Sequence, residues 1–277
     1  MAGCQIRSWG NYLTTPVPFY LRKMGYVREM KALGARRNRC RASWRIHLEH
    51  TQASILEAAR QCERKHKALI IGSGLLFDIP VFELSRLFHD VVLVDIVHLW
   101  RVHRQTSPFP NVRLVQRDVT GMVERSYMAG RRRKLAPMPL RRIEYFLDEG
   151  FDLVVSANIL SQLPVLPNEY LSRRIRLVGQ EQVSAFSKAV VENHLDWISS
   201  FPGVTCLIAD LERLQYNEKK FVSREASLWG VTLPEGGRQW IWDLAPRPEI
   251  DFRLDIRHRV IGYPNFPKQA WLERDRK

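Results

Sequence analysis

The stretch that decides the fold runs from Ala68 to Asn158: ALIIGSG (68–74), VVLVDIV (91–97), NVRLVQRDVTG (111–121) and FDLVVSAN (151–158). Each begins with a short, continuous apolar run of the kind that is buried on both faces as a parallel strand. Each run stops at glycine or a polar residue. Between the runs lie segments with helical spacing: Asp78 to His89 carries Ile79, Phe82, Leu84, Leu87 and Phe88, and Val97 to Thr106 closes at Ser107-Pro108. A fifth run, Val204 to Ala209, follows a helix predicted over Gln180 to Ser199 with Val183, Phe186, Val190, Val191, Leu195 and Ile198 on one face. A further helix is expected around Arg141 to Asp148. Gln239 to Trp242 and Phe252 to Ile261 then read as strands with no long helix between them. The pattern predicts an α/β, Rossmann-like, mostly parallel seven-stranded sheet with helices on both faces and the last strand antiparallel.

Ligands of such sheets bind beyond the carboxyl ends of the strands, and the polar landmarks all fall there. Gly72-Ser73-Gly74 allows a tight turn and close approach of a ligand to the backbone. Asp95 closes the second strand, where a carboxylate accepts both hydroxyls of a ribose. Asp118 closes the third, in reach of an adenine amino group, and Ser156 and Asn158 close the fourth. A lone glycine pair is usually only a turn, and a strand-end Asp only a helix cap. Four consecutive strand ends in this order carry more weight.

On these residues Ala68 to Pro164 resembles the class I S-adenosylmethionine-dependent methyltransferases, and the late strand pair resembles that family's two terminal strands. The resemblance implies S-adenosyl-L-methionine as cofactor, touched by Gly72, Ser73 and Gly74 on the methionine side. Asp95 with Ile96 would meet the ribose, Asp118 with Val119 the adenine, and Ser156 to Asn158 the methyl donor. Two positions depart from the family pattern: Ile70 stands where an acidic residue is usual, and Leu76 where a third glycine is common. The alternatives are an NAD(P)-dependent oxidoreductase, although Phe77 stands where a dinucleotide fingerprint has glycine, and a non-catalytic cofactor-binding module.

No motif names the methyl acceptor. Asn158, Ser161 and Gln162 are placed to orient a polar group on it, and His50 and Tyr170 are candidate bases. His47 and His50 form an HxxH pair, which alone is not a metal site, so no metal is expected. Trp229, Trp240 and Trp242 suit either a substrate pocket or a core.

The chain has 277 residues and a formal charge of +14. Residues 1–67 carry +10 and 125–146 carry +6, while 68–124 and 147–277 carry −1 each. The sequence therefore divides into a basic N-terminal helical segment or lid (1–66), a methyltransferase-like domain (67–267) with a basic insertion (125–146), and a charged tail (268–277). Within the first, a helix from His47 to Arg60 is expected to lid the cofactor. The two basic segments suggest an anionic acceptor or partner: RNA, an acidic small molecule or lipid, or a membrane surface. Trp9, Tyr12, Phe19, Tyr20 and Trp44 interleave with arginine in the first of them. No apolar run reaches the roughly 18–20 residues of a membrane span, and no secretory signal is evident. Cys4, Cys40, Cys62 and Cys206 show no metal spacing. A cytoplasmic protein with reduced thiols is the expectation.

Overall fold

The computed structural model describes residues 17–134, 140–175 and 179–274; Cys4, Trp9, Tyr12, the middle of the basic insertion and the last three residues lie outside them. Every apolar run of the sequence forms a strand: β1 (Lys67–Ile71), β2 (Asp90–Asp95), β3 (Val112–Gln116), β4 (Leu153–Ala157) and β5 (Val204–Asn217). Three more follow, β6 (Lys220–Ala226), β7 (Arg238–Ala245) and β8 (Asp255–Tyr263). The sheet order is β3-β2-β1-β4-β5-β8-β7, with β6 paired to β5. The first five strands are mutually parallel. β8 runs antiparallel to both β5 and β7. This is a Rossmann-like α/β fold, mostly parallel, with the antiparallel last strand the sequence predicts.

Alternate strand residues feed two cores. Ala68, Ile70, Leu93, Val155 and Ile208 face α3 (Arg41–Gln61) and α4 (Val81–Leu87), where Trp44, Ile55, Ala58 and Leu84 are buried. Leu69, Ile71, Val92, Val154 and Leu207 face α8 (Gln180–Ser199), through Val191, Leu195 and Ile198. A third cluster lies over the carboxyl ends of the strands. There Leu21 and Met24 of α1 (Phe19–Met24) and Val27 of α2 (Tyr26–Arg39) pack with Val102 of α5 (Trp100–Thr106), Tyr127 of α6 (Val123–Arg132) and Tyr170 of α7 (Val165–Arg174). This lid is therefore fixed by burial of its own apolar side chains.

Four expectations are corrected. The sheet has eight strands, because β5 runs on past Ala209 and turns at Glu218 (φ 55°) into β6. β6 is exposed at nearly every position, so it has no alternation to reveal it. Residues 141–148 form no α-helix, only one 3-10 turn at Leu147–Glu149. The helix of the basic insertion is α6, which buries Val123, Ser126, Tyr127 and Gly130 at helical spacing. The 1–66 segment is not separate from the body, since α3 forms part of its core and begins at Arg41 rather than His47.

The tail is also structured as far as Arg274. α9 (Lys268–Leu272) buries Trp271 at 1% exposure, and its indole N–H donates to Asp196 (2.9 Å). Lys268 Nζ donates to the carbonyls of Phe201 and Gly203, both at 2.7 Å. Trp271→Ala is expected to lower stability by about 3–5 kcal/mol, read as a fall in urea midpoint at unchanged slope. An unchanged midpoint would show that α9 is not docked.

Candidate functional site

The site starts from the turn that leaves β1. Gly72 and Ser73 donate their N–H groups to Val94 O (2.9 and 3.2 Å), and Gly74 N–H donates to Asp95 Oδ2 (2.8 Å). Gly72 has φ +80°, and a Cβ there would stand 2.0 Å from Ile159 Cγ2 and 2.8 Å from Ala157 O. No other residue fits. Gly74 has φ +52°, and the nearest atom to a Cβ built on it is Gly72 O at 3.9 Å, so the loop presents bare backbone. Leu76, in place of the third glycine, still takes the left-handed conformation (φ 62°). That geometry costs a non-glycine residue about 1–2 kcal/mol.

Beyond this turn lies a cavity of about 390 Å³, at the switch in strand order between β1 and β4, where open α/β sheets bind ligands. Of the residues singled out from sequence, Gly72, Gly74, Asp95, Ile96, Asp118, Val119, Asn158 and Gln162 line it. The lid closes over it with Tyr26, Met30 and Leu33 of α2 and Trp44, His47 and Leu48 of α3. Burial first, then the carboxylates of Asp118 and Asp95, push the Tyr26 hydroxyl well above its ordinary value.

Asp95 is half-buried, and desolvation raises its carboxyl above the ordinary value against the opposing effects of His98 and the Gly74 and Val97 N–H groups. Asp118 accepts the N–H and hydroxyl of Thr120 through Oδ1 (2.9 and 2.6 Å) and Val123 N–H through Oδ2 (2.9 Å). It clamps the loop onto α6 as well as facing the cavity. Asn158, at φ 54°, donates from Nδ2 to Asp78 Oδ2 (2.6 Å), while its Oδ1 is buried with no partner among the described residues. Burial raises the Asp78 carboxyl, the bond from Asn158 only partly offsetting it.

Several expected residues lie elsewhere. Ser156 points from β4 toward α8, where its Oγ is 2.9 Å from His194 Nε2, because strand alternation sends it to the face opposite Ala157. Ser73 is buried beside the turn and does not line the cavity. Ser161 acts from behind, its hydroxyl donating to Asp210 Oδ2 (3.1 Å). His50 is exposed and stacks on Trp240 (5.2 Å, 24°), while Tyr170 packs against Tyr127 in the lid. Neither lines the cavity, so neither is placed as a base toward it. Trp229 donates to Ser161 O (3.4 Å), which leaves Trp242 as the lining tryptophan of the three.

At the opposite corner of the cavity, His47 and Trp242 meet two residues that the sequence reading did not single out, Asp210 and His258. His47 stacks on Trp242 (3.9 Å, 6°), and Trp240 Nε1–H donates to His47 Nδ1 (3.1 Å). A neutral His47 therefore carries its proton on Nε2, which makes that nitrogen a donor rather than a base. Asp210, on β5, has His258 Nδ1 3.1 Å from its Oδ2. Burial alone would raise Asp210, but the charge of His258, its contact, His47 and Ser161 outweigh that and hold the carboxyl below its ordinary value. Both signals were present in the sequence. Asp210 ends the apolar run at Ala209, and His258 is the polar residue on the inward face of Ile256-x-His258-x-Val260.

His47 and His194 are held neutral by burial, pushed down to about 4 and about 3. Unfolded, both titrate near about 6.5. Below that the unfolded chain binds protons the folded chain does not, so stability is full above the unfolded value and falls with pH toward the folded ones. Between pH ~6.5 and ~5 each ring contributes a slope of about 1 kcal/mol per pH unit. Urea midpoints measured across that range are expected to fall steeply; a flat profile would contradict burial of the two rings.

No family model matches the chain, and no curated protein matches it. Solved structures give distant likenesses. The N-methyltransferase NodS from Bradyrhizobium japonicum WM9, in complex with S-adenosyl-L-homocysteine, is 12% identical over 77% of this chain and 86% of its own, with a TM-score of 0.32. The DhpI–SAM–HEP complex is 14% identical over 94% and 89%, at 0.37. An rRNA methylase from Streptococcus thermophilus is 8% identical over 76% and 93%, at 0.31. Similarity at this level carries no argument about activity, and the fold assignment rests on the strand order above.

Proposed function

We propose that the protein binds S-adenosylmethionine in the cavity at the carboxyl ends of β1, β2 and β4 and transfers its methyl group to an acceptor held beside Asp210 and His258. The carrying observation is the turn at Gly72 to Gly74, which opens backbone toward the cavity while Asp95 stands against it. The residues fit the cofactor piece by piece. Gly72 and Gly74 leave room for the methionine chain, and Asp95 retains lone pairs for the ribose hydroxyls. Asp118 and Val119 border the adenine side. Asp78 supplies the carboxylate for the methionine ammonium that the position of Ile70, buried in the core, does not.

The cofactor supplies an electrophilic methyl on a sulfonium. The chain's own contribution is positional: the apolar lid excludes water, and Asn158 and Gln162 orient the acceptor end. The dinucleotide alternative fits less well. Dinucleotide-binding sheets have six parallel strands in the order 3-2-1-4-5-6, whereas β8 here is antiparallel. A module that only holds the cofactor has no use for a buried carboxylate–imidazole pair at the far corner.

Calorimetry with S-adenosylhomocysteine tests this reading. Micromolar binding is expected, with Asp95→Ala and Asp78→Asn each weakening it about tenfold or more, the loss expected for a hydrogen bond to a charged group. No response to NADH is expected. Binding of NADH in place of S-adenosylhomocysteine, or of neither, would overturn it.

A further inference from the structure

The charge of the cavity is opposite to that of the chain. Against the overall +14, its lining holds six carboxylates (Glu29, Asp78, Asp95, Asp118, Glu169, Asp210), two arginines and no lysine. Both arginines have other partners: Arg36 Nε lies 3.7 Å from Glu249, and Arg117 sits over the Tyr145 ring at 4.5 Å. The basic excess of the sequence is therefore not what an acceptor meets inside.

The corner formed by β4, β5, β7, β8 and α3 holds two side-chain oxygens without partners among the described residues. β4 and β5 pair through Ala157 and Ile208, and Asn158 N–H donates to Ile208 O (3.0 Å), which brings Asn158 level with Ala209, one residue before Asp210; both Asn158 and Asp210 line the cavity. Oδ2 of Asp210 is occupied by Ser161 and His258, while Oδ1 is buried with no partner among the described residues. Oδ1 of Asn158 is in the same state. Leaving a buried acceptor unpaired is costly, and for a charged one more so. Two such oxygens on one cavity wall, one of them a carboxylate's, suit a cationic ligand with N–H donors, beside the Trp242 Nε1–H that is likewise unpartnered among the described residues. His258 Nδ1 is turned to Asp210, 3.1 Å from its Oδ2. The indoles of Trp44 and Trp242 complete the wall.

We propose that this corner is the acceptor subsite and that it takes a small primary or secondary amine, entering as its ammonium. Asp210 Oδ1 and Asn158 Oδ1 accept its N–H bonds. The reacting form is the neutral amine, left when the ammonium releases one proton to water. The acceptor is small because the same cavity of about 390 Å³ must also hold the cofactor. His47 takes no proton, because its Nδ1 is already bonded to Trp240. The assignment rests on the methyl-transfer reading above.

The test uses the full chain saturated with S-adenosylhomocysteine and titrated with benzylamine, 4-methylphenol and benzoate, which are matched in size and differ in charge. Benzylamine is expected to bind at least about tenfold more tightly than either other probe, and Asp210→Asn to remove about tenfold of its affinity while S-adenosylhomocysteine affinity stays within about twofold. His258→Asn carries the same comparison should Asp210→Asn fail to unfold cooperatively. The amine assignment is overturned if benzylamine binds no better than 4-methylphenol or benzoate. It is equally overturned if the first variant that folds keeps the parent's preference. In both cases retained S-adenosylhomocysteine binding leaves the methyl-transfer reading standing. Loss of that binding in the parent chain removes the reading itself.

Discussion

The turn out of β1 is the constraint on which the rest of the site depends. Val94 O holds Gly72 and Ser73, Asp95 holds Gly74, and a single Cβ at Gly72 would drive into Ile159 and the end of β4. Three strand ends are thereby locked together by backbone groups and one carboxylate. The cavity exists because this turn stays flat against β4 and leaves the space above it to the lid. A change that lifts the turn displaces Asp95 and Asn158 together, since both are tied to the strand ends beside it.

The lid and the sheet are complementary in chemistry. α1, α2, α6 and α7 close the top through apolar contacts among Leu21, Met24, Val27, Tyr127 and Tyr170, while most of their arginines face outward. α1 packs on α6, with Tyr20 and Tyr127 ring centroids 6.0 Å apart. The two basic stretches of the sequence thus meet in one structural element. Their charge surrounds a cavity of opposite sign, and salt screens exposed charge over roughly 8–10 Å. A chain with pI near 10.0 can therefore have a site suited to cations.

Strands β1 to β5, the helix from Gln180 to Ser199 and the antiparallel last strand were legible because burial on both faces writes itself as unbroken apolar runs. The cavity's strand-end side was legible for the same reason: strand ends are where those runs stop, and Asp95, Asp118 and Asn158 stand at three of them and line the cavity. The corner at Asp210 and His258 was harder to read. His258 and Trp242 come from β8 and β7, far in sequence from His47, and only the pairing of Trp242 with His258 across the sheet brings them together. Asp78 sits in a loop, where no periodicity marks a residue as inward. Ser156 shows the limit of reading strand ends alone, since a one-residue step in a strand reverses the face. β6 was illegible because an edge strand exposed on both faces has no pattern to give.

The central claim is that an adenosine-bearing sulfonium sits across the carboxyl ends of β1, β2 and β4. A crystal structure with S-adenosylhomocysteine tests it most directly. The account predicts ribose hydroxyls within hydrogen-bond distance of Asp95, the homocysteine ammonium at Asp78 and the sulfur turned toward Asn158, with the corner at Asp210 and His258 still open. Density for the nucleoside at any other place on the chain, or a homocysteine chain running into the Asp210 corner, would contradict it.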